Sequence, residues 1–228
     1  MHLPPDFGEA LWLTLRLAFS TTLFLVLLGL PLAQWLNRSR WRGILLVETI
    51  LTLPVVLPPT VIGFYLLVLF APQRTLGGWW QALFGQSLAF SFAGLVLGSM
   101  IYSLPFALQP FQAALRTVPK ALVDAARLDG ASRLQAFRHV ILPLAGRGLM
   151  VGIVLSFAHT VGEFGVVLML GGSIPGKTKV ASIALYDEVQ KLEYSSAHAY
   201  ALVLLAVSFV LLLFMSFLRR QIPENVVC

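Results

Sequence analysis

The chain has 228 residues, of which 58% are hydrophobic and only 11% are charged. Soluble domains carry roughly a quarter charged residues, so this composition excludes an ordinary soluble domain. It predicts an all-α integral membrane protein, one transmembrane domain over residues 1–228, with lipid covering its apolar surface. The net charge of +6 does not indicate a nucleic-acid partner, because the basic residues lie in short segments between apolar stretches. The single cysteine, Cys228, excludes an intrachain disulfide.

The first three predicted spans are charge-free stretches. A helix needs about 20 mostly apolar residues to cross a bilayer. Residues 17–37 predict span 1. The charge-free residues 49–73 predict span 2, and we expect this span to start near Ile44. In the next charge-free stretch we predict one span, at residues 90–115. The preceding Trp79 and Trp80 suit the membrane interface, where tryptophan is favoured.

Span 2 contains prolines at depth. Pro54, Pro58 and Pro59 each lack a backbone N–H, so they predict a broken or kinked helix. With the neighbouring hydroxyl of Thr60, they are candidates for a pore or gate. Ser103, in span 3, is a further weak donor that could contact an anion, although a hydroxyl in a span more often bonds to its own or a neighbouring helix.

The segment between spans 3 and 4 predicts two short amphipathic helices just beneath the membrane. Thr117 is the expected cap of a first helix with Pro119 in its first turn. Gly130 is the expected stop, and Ser132 with Gln135 matches the capping box of a second helix. Pro143 marks the start of span 4.

Span 4 is predicted to run from near Leu142 to the Gly162–Gly165 region. An ionisable residue such as Glu163 is costly near a span and therefore suggests a function. Its neighbours Gly162 and Phe164 join it as gate candidates. A structural role for Glu163, bonded to His159 or Arg147, is the alternative, since a carboxylate on an anion path would repel the cargo.

Residues 171–178, GGSIPGKT, match the phosphate-binding loop G-x-x-x-x-G-K-[ST]. Pro175 has no N–H to offer a phosphate, and the following residues leave too little room for a nucleotide-binding unit. We therefore interpret the string as a Gly/Pro turn after an apolar helix.

Residues 199–218 predict span 5, and a sixth span is the alternative if segment 76–89 or 166–189 enters the bilayer. Basic residues favour the cytoplasmic side. The five-span arrangement places eleven of them on one side: Arg38, Arg40, Arg42, Arg116, Lys120, Arg127, Arg133, Arg138, Arg147, Arg219 and Arg220. Four lie on the other: Arg74, Lys177, Lys179 and Lys191. We expect the N-terminus outside and the C-terminus in the cytoplasm.

Residues 116–143 resemble the coupling loop of ABC-transporter membrane subunits. The similar residues are Asp124, Ala125, Ala126, Gly130, Ile141, Leu142 and Pro143. Asp replaces the family's Glu, and one residue is missing between Ile141 and Leu142. The resemblance implies that this coupling loop docks a separate ATPase dimer. ATP and Mg would bind to that partner, so this chain would need no cofactor and would not be an enzyme.

Residues 53–70, 89–119 and 161–178 extend the resemblance to molybdate permeases, with sulfate permeases as close relatives. The resemblance implies an importer subunit in the bacterial inner membrane that pairs with a second copy of itself. A periplasmic oxyanion-binding protein would deliver the molybdate, with tungstate as a further possible cargo. The alternatives are a sulfate or thiosulfate permease, a membrane enzyme using His159 and Glu163, and an ion-driven carrier without an ATPase.

Overall fold

The computed structural model describes residues 4–220, apart from the side chain of Arg219, so Cys228 lies outside the described residues. This part of the chain is helical and contains no strand. It forms eleven α-helices: α1 (Phe7–Arg38), α2 (Ile44–Thr52), α3 (Pro59–Phe70), α4 (Thr75–Phe84), α5 (Phe92–Arg116), α6 (Lys120–Leu128), α7 (Arg133–Ala136), α8 (Leu142–Val161), α9 (Gly165–Gly171), α10 (Ala181–Gln190) and α11 (Tyr194–Arg220).

Four helices of the described chain are long and apolar enough to cross a membrane. They are α1, α5, α11 and the continuous stretch Arg133–Val161, which contains α8. A bent pair, Ile44–Val55 with Pro59–Phe70, gives up to five candidate spans. The prediction of an all-helical membrane protein is confirmed, and the predicted five spans match the upper count.

The break in span 2 occurs at its prolines. Helix α2 ends in a 3₁₀ turn at Leu53–Val55, and α3 starts again at Pro59 at an angle of 109° to the first half. Pro59 occupies the first position of α3, where the missing N–H leaves no hydrogen bond unmade. The predicted break at these prolines is confirmed.

Small residues bring the long helices together. A Cβ atom added at Gly152 of α8 would lie 2.7 Å from the ring of Phe111 on α5, and one at Gly148 would lie 2.6 Å from the Cβ of Ala114. Phe111 is 1% exposed and belongs to the apolar core shared by α1, α5 and α8. Backbones that approach this closely gain van der Waals contact, which holds helices together where lipid removes the hydrophobic driving force.

Helix α11 lies at the periphery of the chain. None of the residues in its most apolar 18-residue stretch is buried, although this stretch is the most hydrophobic of the candidate spans. Exposed apolar side chains on this scale need a cover of lipid or protein.

The predicted coupling loop, residues 116–143, differs from the prediction in two structural details. Thr117 does not cap α6: its hydroxyl donates to the Ala114 carbonyl at the end of α5, and Pro119 precedes α6 instead. The second helix is not separate, because α7 continues through a π-helical turn, Phe137–Ile141, directly into α8. The corner at Gly130, with φ of +90°, and the capping box of Ser132 with Gln135 both form as predicted.

Residues 172–178 form a turn after α9, as predicted. The preceding Val166–Leu170 run is helical, in agreement with the predicted apolar helix. Within the turn, the N–H groups of Lys177 and Thr178 donate to the Ile174 carbonyl, and the Ile174 N–H donates to the Thr178 hydroxyl. Amides already used inside the turn cannot surround a phosphate.

Candidate gate and coupling surface

Two short helices that follow backbone breaks, α3 and α9, pack directly on each other. A Cβ atom added at Gly165 would lie 2.6 Å from the Cβ of Pro59, closer than real Cβ atoms approach. One turn along, a Cβ at Gly63 would lie 2.7 Å from the Cβ of Met169. Glycines on both helices thus allow α3, the second half of span 2, to lie directly against α9, which follows span 4.

Glu163 lies in the break between α8 and α9. It is 3% exposed, and neither carboxylate oxygen has a hydrogen-bond partner within the described residues. Its backbone is held: the carbonyl accepts from the Ser182 hydroxyl at 2.6 Å, and its N–H donates to the Thr160 carbonyl. A buried ionisable group without a partner is energetically costly, so this side chain is not explained by packing in this conformation.

The residues on either side of Glu163 define the break. Gly162 ends α8, and Phe164 precedes α9 with φ of −129° and ψ of −58°, which is not helical. The Phe164 ring packs on the Tyr186 ring of α10, with centroids 5.1 Å apart. The break is therefore held from α10 through Ser182 and Tyr186.

Ser103 joins α5 to α8 by hydrogen bonds. Its hydroxyl lies 2.9 Å from His159 Nδ1 and 3.0 Å from the Thr160 hydroxyl, which itself donates to the Ser156 carbonyl. If Nδ1 carries a hydrogen, His159 donates to Ser103, Ser103 donates to Thr160, and Thr160 donates to the Ser156 carbonyl. The alternative in which His159 bonds to Glu163 does not form in this structure: His159 Nδ1 lies 2.9 Å from the Ser103 hydroxyl, and within the described residues neither Glu163 carboxylate oxygen has a hydrogen-bond partner.

The remaining predicted gate residues do not form one buried site. Pro54 is buried, whereas Pro58 and Thr60 are exposed and Pro59 lies against Gly165. Thr60 is therefore accessible at the start of α3, and Ser103 is fully buried in the helix bundle. The structure brings together Pro59, Gly165 and the break at residues 162–164, whereas the Ser103 hydroxyl bonds to His159 and Thr160 of α8.

The residues of the predicted coupling loop present a mixed surface. Asp124, Ala125, Gly130, Leu142 and Pro143 are exposed, Ala126 is half-buried, and Ile141 is buried. Two leucines on either side of the Gly130 corner stand out: Leu128 is 88% exposed and Leu134 is 74% exposed. Exposed leucines beside small alanines suit contact with another protein.

An ion-pair cluster ties the start of α1 to the segment after α9. The Lys179 ammonium donates to Asp6 Oδ2 at 2.6 Å and lies 3.6 Å from Asp187 Oδ2 of α10. The hydrogen bond from Lys179 lowers the pKa of Asp6 below its ordinary value of 3.8. The cluster fixes α10, and with it the contacts that hold the break at Glu163.

Two parts of this arrangement were missed by sequence reasoning. Gly63 could have been suspected as a glycine inside an apolar helix, the usual sign of a close helix approach. The pairing of Asp6 with Lys179 had no signal in the sequence, because the two positions are 173 apart along the chain.

A profile of the family described as binding-protein-dependent transport system inner membrane component matches residues 25–223. The chain belongs to this family. It is therefore a multi-pass membrane component of a transport system, and the prediction that it is not an enzyme is confirmed by the family.

This family member is similar to the molybdenum transport system permease protein ModB of Azotobacter vinelandii, with 44% identity over 92% of this chain and 93% of the relative. ModB of Escherichia coli K12 is 34% identical over 95% of both chains. The sulfate transport system permease protein CysT of Salmonella typhimurium is 34% identical over 98% of this chain and 80% of its own length.

Among solved structures, a bacterial ABC transporter that imports the acidic polysaccharide alginate has a TM-score of 0.75 at 22% identity, covering 97% of this chain and 81% of that chain. The methionine transporter MetNI in inward-facing conformations has a TM-score of 0.70 at 18% identity, covering 95% and 96%. These likenesses show that the permease has the ABC-importer membrane fold.

Proposed function

We propose that this permease forms half of the translocation pore of an ATP-driven molybdate importer, with tungstate as a second possible cargo. The observation that carries the proposal is the 44% identity to a molybdenum permease over nearly the whole of both chains. The permease supplies the moving path, and a partner ATPase binds ATP and Mg.

The exposed surfaces of the chain support an assembly with three partners. A second copy of the permease completes the pore, and an ATPase dimer docks on the coupling loop, where Leu128 and Leu134 flank the Gly130 corner. A periplasmic oxyanion-binding protein docks at the opposite end. The N-terminus is outside and the C-terminus is cytoplasmic, since eleven of the sixteen Lys and Arg residues then lie inside.

The gate is the contact between α3 and α9. Both helices begin after a break, so each can tilt without bending a continuous span. The π-helical turn at Phe137–Ile141 connects the coupling loop to α8 without a gap, and α8 ends at the Glu163 break. A pull on the coupling loop is therefore transmitted along α8 to residues 162–164, and from there to the Gly165–Pro59 contact.

The experiment is uptake in a bacterial strain that lacks its own molybdate and sulfate transporters. The permease is expressed with its ATPase and binding protein, and uptake of radiolabelled molybdate and sulfate is measured separately. We expect saturable uptake of radiolabelled molybdate. An excess of unlabelled molybdate should compete with this uptake, and the uptake should fail without the ATPase. Uptake that persists without the ATPase would instead establish the ion-driven carrier.

Sulfate or thiosulfate is the second candidate cargo, because the similarity to a sulfate permease covers 98% of this chain. The same assay separates the two, since transport of sulfate with no transport of molybdate would establish the sulfate permease.

A further inference from the structure

A cavity of about 910 Å³ lies between the ends of α1 and α5 and the helices of the coupling loop. Its volume falls in the range of small-molecule pockets, roughly 300–1,000 Å³. The lining residues come from separate elements: Arg38 ends α1, Arg116 ends α5, and Lys120 and Arg127 belong to α6. Arg133, the first residue of α7, completes the cationic part of the lining.

The charge of the cavity is strongly positive and largely unneutralised. Five of its lining side chains are cationic and one, Asp124, is a carboxylate. Arg116 already donates from Nε to Asn37 at 2.8 Å and lies 3.9 Å from a Glu48 oxygen. Within residues 4–220, the other four cations are in no ion pair. An anion in the cavity would relieve their mutual repulsion.

The cavity also has an apolar floor. Val118 and Ile141 are 9% and 6% exposed and line it beneath the exposed cationic side chains. The first turn of α6 lines the same cavity, and a helix N-terminus adds a favourable potential for an anion. Arginine presents paired N–H groups that match the oxygens of a phosphate.

We propose that this cavity binds a tetrahedral anionic group of the phosphate type, either the headgroup of an anionic phospholipid or a free oxyanion. The cavity lies where α1 and α5 end, which is the depth at which basic residues meet lipid headgroups. A bound anion would join Arg38 of α1 to Arg127 and Arg133 on the two sides of the Gly130 corner. It would thereby stiffen the coupling loop, a consequence that rests on the proposed function.

The test uses the purified full-length chain and the double variant Arg127→Gln/Arg133→Gln. The matched control is Arg40→Gln/Arg42→Gln, which removes the same charge from two exposed arginines outside the cavity. Native mass spectrometry measures retention of phosphatidylglycerol against phosphatidylcholine. Equilibrium dialysis of lipid-depleted protein measures binding of inorganic phosphate and of molybdate.

We expect the cavity variant, but not the control, to lose phosphatidylglycerol retention by at least about fivefold for each cation removed. Loss of phosphate or molybdate binding alone would assign the cavity to a free oxyanion and would also support the proposal. Equal binding of all anions by both variants would overturn it. Size-exclusion profiles check the fold, and Lys120→Gln/Arg127→Gln is a second variant pair confined to α6. Neither binding assay measures transport, so failure of the importer function would be seen separately.

Discussion

Gly165 and Pro59 are in contact without room for a methyl group between them. A Cβ at position 165 would lie 2.6 Å from the Cβ of Pro59 and 3.4 Å from the backbone nitrogen of Thr60. The contact joins the first residue of α3 to the first residue of α9. Any change in the relative position of α3 and α9 would therefore have to break this contact.

Gly165→Ala tests this contact. The added methyl group has to push α3 away from α9, so we expect uptake to fall at least tenfold and the thermal midpoint to drop, since overpacking costs about 1–3 kcal/mol. The matched control is Gly146→Ala in α8, where the new methyl group meets no atom within 4 Å. Uptake of labelled molybdate, normalised to permease in the membrane, is the measurement. Equal uptake by both variants would contradict a gate at this contact.

Glu163→Gln tests the buried carboxylate. Glutamine has the same shape and no charge, and no hydrogen bond within the described residues is lost from the side chain. We therefore expect a thermal midpoint that is unchanged or higher. We also expect uptake to fall roughly tenfold, because the variant would lose one charged hydrogen bond that Glu163 makes in another state of the gate. The contrast is Glu188→Gln, which removes an ion pair of 2.7 Å with Lys191 and should lower the midpoint. Loss of stability in Glu163→Gln, with uptake falling in proportion, would instead indicate a structural residue.

Ser103→Ala tests whether that residue serves the pore or the packing. The change leaves His159 and Thr160 without a shared partner, so we expect a loss of about 1–3 kcal/mol in the free energy of unfolding. Ser156→Ala is the control, because its equally buried hydroxyl donates only to the Ile153 carbonyl of its own helix. Chemical denaturation in detergent compares the two. A pore role would appear as lost uptake with unchanged stability.

Gly130→Ala tests the corner of the coupling loop. No atom lies within 4 Å of the added Cβ, so the only penalty is the φ of +90°, which costs alanine about 1 kcal/mol. We expect reduced ATP-dependent uptake with the permease still in the membrane, and abolished uptake with a bulkier residue. Asn tolerates positive φ, so Gly130→Asn should recover most of the uptake. If uptake by Gly130→Asn is no higher than uptake by Gly130→Ala, the backbone conformation at position 130 is not the cause of the reduced uptake.

Asp6→Asn tests the ion pair with Lys179 through its pH dependence. The lowered pKa of Asp6 means that the folded state favours its charged form. The resulting stability is present above the ordinary pKa of 3.8 and is lost as pH falls through the lowered folded value. We expect the variant to lose a few degrees in thermal midpoint at neutral pH and to show less acid sensitivity below pH 4. Glu9→Gln, an exposed acid of the same helical turn, should leave the profile unchanged.

Sequence reasoning found the features that depend on local chemistry. The break at Pro59 follows from a missing N–H, and the corner at Gly130 and the capping box of Ser132 follow from short-range hydrogen bonds and backbone freedom. Thr117 was misassigned because its hydroxyl can bond either forward to α6 or back to α5, and the sequence does not distinguish the two.

The amino-acid sequence by itself determined the membrane environment, the approximate spans, the proline break and the family resemblance, since each depends on composition or on neighbours along the chain. Only the tertiary structure decided that Gly165 meets Pro59, that Ser103 rather than Glu163 bonds to His159, and that five cations line one cavity. These relationships join residues far apart in the chain. They depend on how long helices are rotated and offset against each other, and that geometry is set by the packing of the whole bundle.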